Sequence, residues 1–346
     1  MNLFSSFFVM LCIWCCFAVM IKYIIFAVEY LIMYSEVKRI RRYGFPYKGS
    51  KRVLADWLVW DVLPPGLVFV DLFAGGCSVT HAAMLSHRYG RYIANDLSGT
   101  SLLFRDAVLG CYADEDRWIS REDFFALKDT DAYVRWLWSF GNDGRSYMYG
   151  RDVEAWKRAF HYAVFYRDVT PYSDMGISVP SVVLSDGDIV SRTSRLARYL
   201  RSVGVSGASC RLESSGRLQS LQSLQSLQSL HECKSFSGLQ VSSCDYADVA
   251  IPDGAVVYCD IPYRGTNEYD RDGGFDHGRF YEWALSRPFP VYVSEYDMPE
   301  GFVCVAACSR IDTMCATDNT KRVAERVFVQ SRYAGSCVTG LFGCSV

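Results

Sequence analysis

The chain has 346 residues, 50% hydrophobic and 15% aromatic, with 36 Lys and Arg against 38 Asp and Glu for a net charge of −2. That length accommodates one catalytic domain with a sizeable insertion, or two domains, and the charge balance excludes a globally basic nucleic-acid binder, so any polyanion site has to be a local patch. Fourteen Cys without paired Cys-x-x-Cys motifs, and five His in no metal-ligand spacing, argue for a reducing compartment and against a disulfide framework or a structural zinc; no metal is expected.

Residues 1–32 open the chain with an apolar run. No charge occurs from Leu3 to Ile21, and Lys22 and Glu29 are the only charges before Glu36, a run long enough to cross a bilayer as a helix. Two readings stay open: a membrane anchor that holds Lys38, Arg39, Arg41 and Arg42 on the cytoplasmic side, or a spurious extension upstream of a functional start at Met33. A signal peptide fits poorly, because no basic residue precedes the apolar run and no small-residue cleavage site follows it.

From Lys38 to Arg52 there are seven basic residues and no acid. Such a segment serves as a juxtamembrane flank, a solvated face or a phosphate-contacting edge, and G-F-P-Y-K-G-S-K over residues 44–51 sets an aromatic, a Gly and a Lys where a chain can wrap a charged small molecule. A helix is expected from Val53 to about Val62, ended by Pro64-Pro65. Leu67 to Thr80 then reads L-V-F-V-D-L-F-A-G-G-C-S-V-T, an apolar strand running into Gly75-Gly76 and a helix. The paired glycines let backbone amides approach a ligand, and the helix N-terminus favours an anionic group. A second strand, Tyr92 to Asn95, delivers Asp96, a carboxylate placed to accept from both hydroxyls of a ribose.

From Thr100 to about Val205 the chain is helical in tone. Within it, Trp136 to Arg151 reads W-L-W-S-F-G-N-D-G-R-S-Y-M-Y-G-R, with rings and arginines on a turn-rich loop, as base stacking and phosphate or guanine contact require. Asn142, Arg145 and Tyr147 are the candidate DNA contacts. Trp136, Trp138 and Phe140 are equally at home in a core. Residues 218–230 repeat Leu-Gln-Ser with a period of three, which smears the leucines around a helix instead of gathering them in one stripe, and no chemistry is assigned there.

A strand from Leu239 to Ser243 leads to Asp245-Tyr246, an acid and a ring able to bond an adenine amino group and pack on its face. Val256 to Thr266 reads V-V-Y-C-D-I-P-Y-R-G-T, a buried strand stopped at Asp260 because Pro262 cannot donate to a ladder. Asp260 and the Ile261 carbonyl can accept the two N–H bonds of an exocyclic amine, while Tyr263 stacks on the ring that bears it. His277, beside a helix start, is read as a cap or a surface residue. Pro290 to Tyr296 is a further strand, and Arg322 to Arg332 with Gly335 to Phe342 are expected to form a closing antiparallel pair, with Lys321 and Arg326 on a solvated edge or, alternatively, in reach of nucleic-acid phosphates.

Several of these elements carry a family likeness. Asp260-Ile261-Pro262-Tyr263 resembles the D-P-P-Y signature of amino-methyltransferases that act on adenine in DNA, with Ile261 where the signature has its first Pro; the carbonyl role survives, and some preset stiffness is lost. Tyr47-x-Gly49-x-Lys51 resembles the opening element of the Dam-like group, Asp71, Phe73, Gly75 and Gly76 stand at the positions of methyltransferase motif I, and Asp245-Tyr246 is similar to the element that meets the cofactor's adenine. The order of the elements resembles the Dam-like α-group of DNA adenine-N6 methyltransferases over about Tyr43 to Phe342.

The resemblance implies a Rossmann-like class I α/β methyltransferase sheet with a helical target-recognition insert. The catalytic domain would comprise residues 33–99 and 239–346, and the insert residues 100–217. It also implies S-adenosylmethionine as donor, with Tyr47 lining its pocket and Lys51 near its methionyl carboxylate. Double-stranded DNA would be the partner, with the target adenine flipped onto Tyr263, and the location would be the cytoplasm of a bacterial or phage-infected cell, membrane-tethered if the leader is inserted. A cognate restriction endonuclease is a possible second partner. Cytosine-N4, an RNA or a protein amide remain alternative substrates, and an inactive DNA-binding or membrane-tethered protein an alternative of another class.

Overall fold

The computed structural model describes residues 43–205, 228, 230, 238–264, 274–311 and 322–336. Seven strands form one sheet: β1 (Val68–Asp71), β2 (Arg91–Asn95), β3 (Leu239–Ser242), β4 (Val256–Asp260), β5 (Val291–Glu295), β6 (Phe302–Ile311) and β7 (Arg322–Gln330), in the order β3-β2-β1-β4-β5-β7-β6. The first five are parallel and β7 runs antiparallel between β5 and β6. The chain's direction across the sheet reverses between β1 and β4, and the carboxyl ends flanking such a switch point are where open α/β sheets bind ligands.

Strand alternation divides the core between the two faces. Val68 and Val70 of β1, Val257 and Cys259 of β4, and Val291 and Val293 of β5 face one side, against Phe280 and Ala284 of helix α9 (His277–Ser286). Phe69, Tyr92, Tyr258 and Tyr292 form an aromatic row on the other side, packed with α2 (Ser78–Ser86), α3 (Thr100–Val108) and the helical segment that follows. Each such ring contributes about 1.5–3 kcal/mol of burial, and the central strands, apolar on both faces, read as continuous runs for that reason.

The expected helix at Val53–Val62 is a short α-turn, α1 (Ala55–Trp57), continuing as a π-turn over Leu58–Val62. From Thr100 to Val205 the chain is helical as expected: α3, α4 (Arg121–Leu127), α5 (Ala132–Leu137), α6 (Arg151–Tyr166), α7 (Thr170–Asp174) and α8 (Ile189–Ser202). Ser120, Asp131 and Asp188 cap α4, α5 and α8 by accepting a backbone N–H two or three residues into the helix, the usual service of such side chains. The strand pairing at the end of the chain departs from expectation. β7 pairs antiparallel with both β5 and β6, which precede it, and residues 331–336 form a 3-10 turn; a bulge between Cys304 and Ala306 breaks the alternation that would have marked β6.

Of the Leu-Gln-Ser repeat, only Gln228, which donates to the Glu115 carbonyl (3.0 Å), and Leu230, fully buried, fall among the described residues. Among the described residues no helix is long and apolar enough to cross a membrane; residues 1–32, on which the anchor reading rests, lie outside them, as do Lys38 to Arg42, Lys321 and residues 337–342.

Candidate active site

At the carboxyl end of β4, Asp260 is followed by a turn secured from three sides. Ile261 is 2% exposed and packs in the apolar cluster beneath the sheet, so side-chain burial supplies the stiffness that a ring would give at that position. The Pro262 carbonyl accepts Nε2–H of His277 (2.8 Å), which fixes that histidine's tautomer, since a carbonyl only accepts. Arg264 N–H donates to Glu295 Oε2 (3.2 Å) at the end of β5. Tyr263 donates its phenol to Glu325 Oε1 of β7, meets the Tyr296 ring edge-on (4.6 Å, 78°), and has the Lys51 ammonium 4.5 Å from its ring centroid.

Lys51 is buried, with Nζ 2.9 Å from Asp260 Oδ1 and 3.4 Å from Glu325 Oε1. Its expected neighbour was a ligand carboxylate, and its neighbours here are two carboxylates of the protein. Asp71, Asp96, Asp260, Glu295 and Glu325 thus gather along one end of the sheet, on or just beyond β1, β2, β4, β5 and β7. Burial pushes the Asp71 carboxyl up to about 7, opposed by the hydrogen bond from Thr80 and reinforced by Asp260 and Asp96. Burial likewise raises Glu295, against the hydrogen bonds from the Tyr296 and Arg264 amides.

The glycine turn sits beside this acidic end. Gly75 has φ +49° and Cys77 φ +56°, leading into α2. The segment before Lys51 lies directly on the turn: Phe45 N–H donates to the Gly76 carbonyl (3.0 Å), a Cβ on Gly76 would stand 2.4 Å from the Phe45 carbonyl oxygen, and one on Gly75 would stand 2.8 Å from the Tyr47 ring. The glycines therefore admit the chain's own residues 45–47, and Tyr47 in turn leans on Trp136 (5.6 Å). Asp71 lies beneath the turn, 1% exposed, accepting from Thr80 Oγ1 (2.8 Å). His81, which the sequence did not single out, accepts Gly44 N–H at Nδ1 (3.0 Å), and burial lowers its pKa to about 4, so the ring is neutral at physiological pH.

Asp96 takes Gly75 N–H on one oxygen (2.7 Å) and Ser98 N–H on the other (3.0 Å). Its neighbour Asn95 is fully buried, and its amide satisfies all four of its bonds: Nδ2 donates to the Leu72 and Cys244 carbonyls (3.2 and 3.0 Å), and Oδ1 accepts from Cys244 N–H and Ser242 Oγ (3.1 and 2.8 Å). Asp245 receives the Arg279 guanidinium on both oxygens (2.7 and 2.9 Å), which with the Ala247 amide holds its carboxyl below the usual range. Tyr246 is 6% exposed among Phe73, Phe275, Phe280 and Trp283, 5.4 Å from Phe73. The structure thus brings Tyr47, Lys51, Asp71, Phe73, Gly75, Gly76, Asp96, Asp245, Tyr246 and the 260–263 turn to one end of the sheet.

The three residues singled out for DNA contact separate. Asn142 is 4% exposed, in the left-handed conformation (φ +57°), with Nδ2 donating to the Trp136 carbonyl (2.8 Å). Tyr147 is 6% exposed and donates to the Ile119 carbonyl (2.8 Å). Both serve the interior of the loop, a correction to the expectation of surface contact, because each polar end has a buried backbone partner to satisfy. Trp136 and Trp138 are core, as the alternative reading had it, whereas Phe140 is 66% exposed beside exposed Arg145. Among the described residues no group of three or more His, Cys, Asp or Glu could hold a metal ion.

Residues 47–142 match the family model of the D12 class N6 adenine-specific DNA methyltransferase. No curated protein matches the chain. The match begins at the Tyr47 element, spans the glycine turn and Asp96, and runs to the Asn142 loop, so over these residues the chain is similar to the adenine-specific DNA N6-methyltransferases of the D12 class, and the seven-stranded Rossmann-like sheet is consistent with adenine N6 methylation of DNA.

Proposed function

We propose that the methyl donor is S-adenosylmethionine, held over β1, β2 and β3, and that the target adenine is received at Asp260 to Tyr263. The observation that carries this reading is the concentration of carboxylates at one end of the sheet, with the Lys51 ammonium 2.9 Å from Asp260 Oδ1 and 3.4 Å from Glu325 Oε1. Such a lining favours a cationic ligand. The donor residues fit: Tyr47 beside the Gly75-Gly76 turn, Asp96 for the ribose, the packed rings of Phe73 and Tyr246 as an apolar wall for the purine, Asp245 for its amino group, and Asp71 bracing the turn from beneath, with Oδ1 buried and unpartnered. When bound, the cofactor supplies an electrophilic methyl group on a sulfonium.

The protein's part is positioning and electrostatics. Asp260 and the Ile261 carbonyl accept the two N–H groups of the adenine amine, which turns the nitrogen lone pair toward the donor side. Tyr263 supplies the stacking face for a base taken out of the duplex. Lys51 is the countercharge of Asp260, in place of the methionyl contact that the family likeness implies. Residues 100–217 are the target-recognition insert on residues 33–99 and 239–346, and the loop after α5 offers Arg145 for phosphate and Phe140 for stacking, where Asn142 and Tyr147 had been the candidates.

The test incubates the protein with labelled S-adenosylmethionine and unmethylated DNA, with nucleoside analysis, beside Asp260→Ala. The expected product is N6-methyladenine, reduced roughly 100-fold or more in the variant, the scale of losing one preorganised polar group. Label on cytosine, RNA or protein, or undiminished label with Asp260→Ala, refutes the reading.

A further inference from the structure

Glu325 comes from a strand that carries none of the donor or target contacts assigned above. It lies within β7, opposite Cys308 of β6, and is 0% exposed, on the same strand face as buried Val327 and Val329. An ionisable side chain there is costly unless partnered. Its partners converge on the methyl-transfer site: Oε1 accepts the phenol of Tyr263, in the turn itself, and lies 3.4 Å from Nζ of Lys51, the partner of Asp260, while Oε2 is buried without a hydrogen-bond partner. The carboxylate is therefore not tied into the sheet for its own sake.

We propose that Glu325 is a positioning residue for methyl transfer: it fixes the plane of the Tyr263 ring through the phenol and shares the Lys51 ammonium with Asp260, so that Asp260 keeps charge with which to accept the target amine. Two geometric facts carry this. The ring is held at three points, by Glu325 at the hydroxyl, by Tyr296 edge-on at 4.6 Å, and by Lys51 4.5 Å from its centroid, and only the first fixes the hydroxyl end. One ammonium faces two carboxylates, at 2.9 and 3.4 Å. Two negative groups around one positive group leave a net negative charge beside the incoming base. With Glu325 neutral, Lys51 would close on Asp260 alone, and its hydrogen-bond acceptor strength would fall.

This rests on the assignment of Asp260 and Tyr263 above, and the experiment separates the two. In the full chain, kcat and KM for labelled S-adenosylmethionine and for unmethylated DNA are measured for Asp260→Ala, Glu325→Gln, Glu325→Asp, Tyr263→Phe and the pair Glu325→Gln with Tyr263→Phe. Glu325→Gln is expected to lower kcat roughly tenfold, a small misplacement of reacting groups, with KM for the donor within about twofold. Glu325→Asp, which keeps the charge, recovers part of that loss, and the double variant is no worse than its poorer single, since both act on one ring.

Asp260→Ala inactive beside Glu325→Gln at wild-type kcat overturns the proposal alone, and so do losses that multiply in the double variant. Labelling that survives Asp260→Ala overturns the underlying assignment instead. Should Glu325→Gln fail to fold, Tyr263→Phe decides: a kcat within about twofold of wild type removes the role of the phenol contact and with it the proposal.

Discussion

Replacing Asp71 by Asn removes a carboxyl that the fold holds at a pKa of about 7 against an ordinary 3.8. The sign follows from proton binding. Between those values the folded chain keeps the proton and the unfolded chain loses it, so rising pH favours unfolding, and above about 7 both states are ionised and the cost is constant. A shift of about three units at ~1.4 kcal/mol each amounts to about 4 kcal/mol by pH 8. Between pH 5 and pH 8 the change is about 3 kcal/mol, because part of it has accrued by pH 5. Asn keeps the shape and can still accept from Thr80 Oγ1, which now lies 2.8 Å from Asp71. Urea denaturation of wild type and Asp71→Asn under reducing conditions, at pH 5 and pH 8, isolates the term as a difference of differences. The variant gains on the wild type by about 3 kcal/mol over that range. A gap that stays constant with pH refutes the raised carboxyl, and a gap that shrinks toward pH 8 refutes its direction.

Arg145→Ala and Asn142→Ala are expected to fail in opposite ways. Arg145 is exposed, so its loss weakens DNA binding, lowers the salt slope by about 1 and changes stability by less than about 0.5 kcal/mol. Asn142 is buried on the Trp136 carbonyl, so its loss costs about 1–3 kcal/mol of stability; salt-titrated DNA binding and denaturation check both. Gly76→Ala forces a methyl to within 2.4 Å of the Phe45 carbonyl oxygen, which costs about 1–3 kcal/mol and loosens Tyr47. Denaturation and donor binding by tryptophan fluorescence should fall together, and a variant with unchanged donor affinity counts against Tyr47 as a pocket residue.

The strands that carry the site were legible because each ends in its own local signature. Phe69 to Gly76, Tyr92 to Asp96 and Val256 to Tyr263 announce strand, turn and chemistry within a dozen residues. What stayed hidden depends on strands meeting across long separations. Glu325 reaches Tyr263 only because β7 inserts between β5 and β6, and the pairing of Lys51 with Asp260 joins the segment before β1 to the end of β4. The Tyr147 ring gave no warning of its burial, since a ring that stacks on a base and a ring that fills a core are the same residue in sequence. His277, expected as a cap or a surface residue, is half-buried: Asp276 caps α9 and His277 turns back onto the Pro262 carbonyl.

Asn95 has a consequence for how the pocket meets its ligand. Its amide binds Leu72, beside the glycine turn, and Ser242 and Cys244, just before Asp245, although 149 residues separate Asn95 from Cys244. The two walls proposed to embrace the cofactor are thus pegged together by one side chain, whatever length of chain is looped out between β2 and β3. A recognition module inserted there can lengthen, shrink or be exchanged without prying the cleft apart. Ligand binding then begins from walls already in register, which spares the ordering entropy that a jaw assembled on contact would lose.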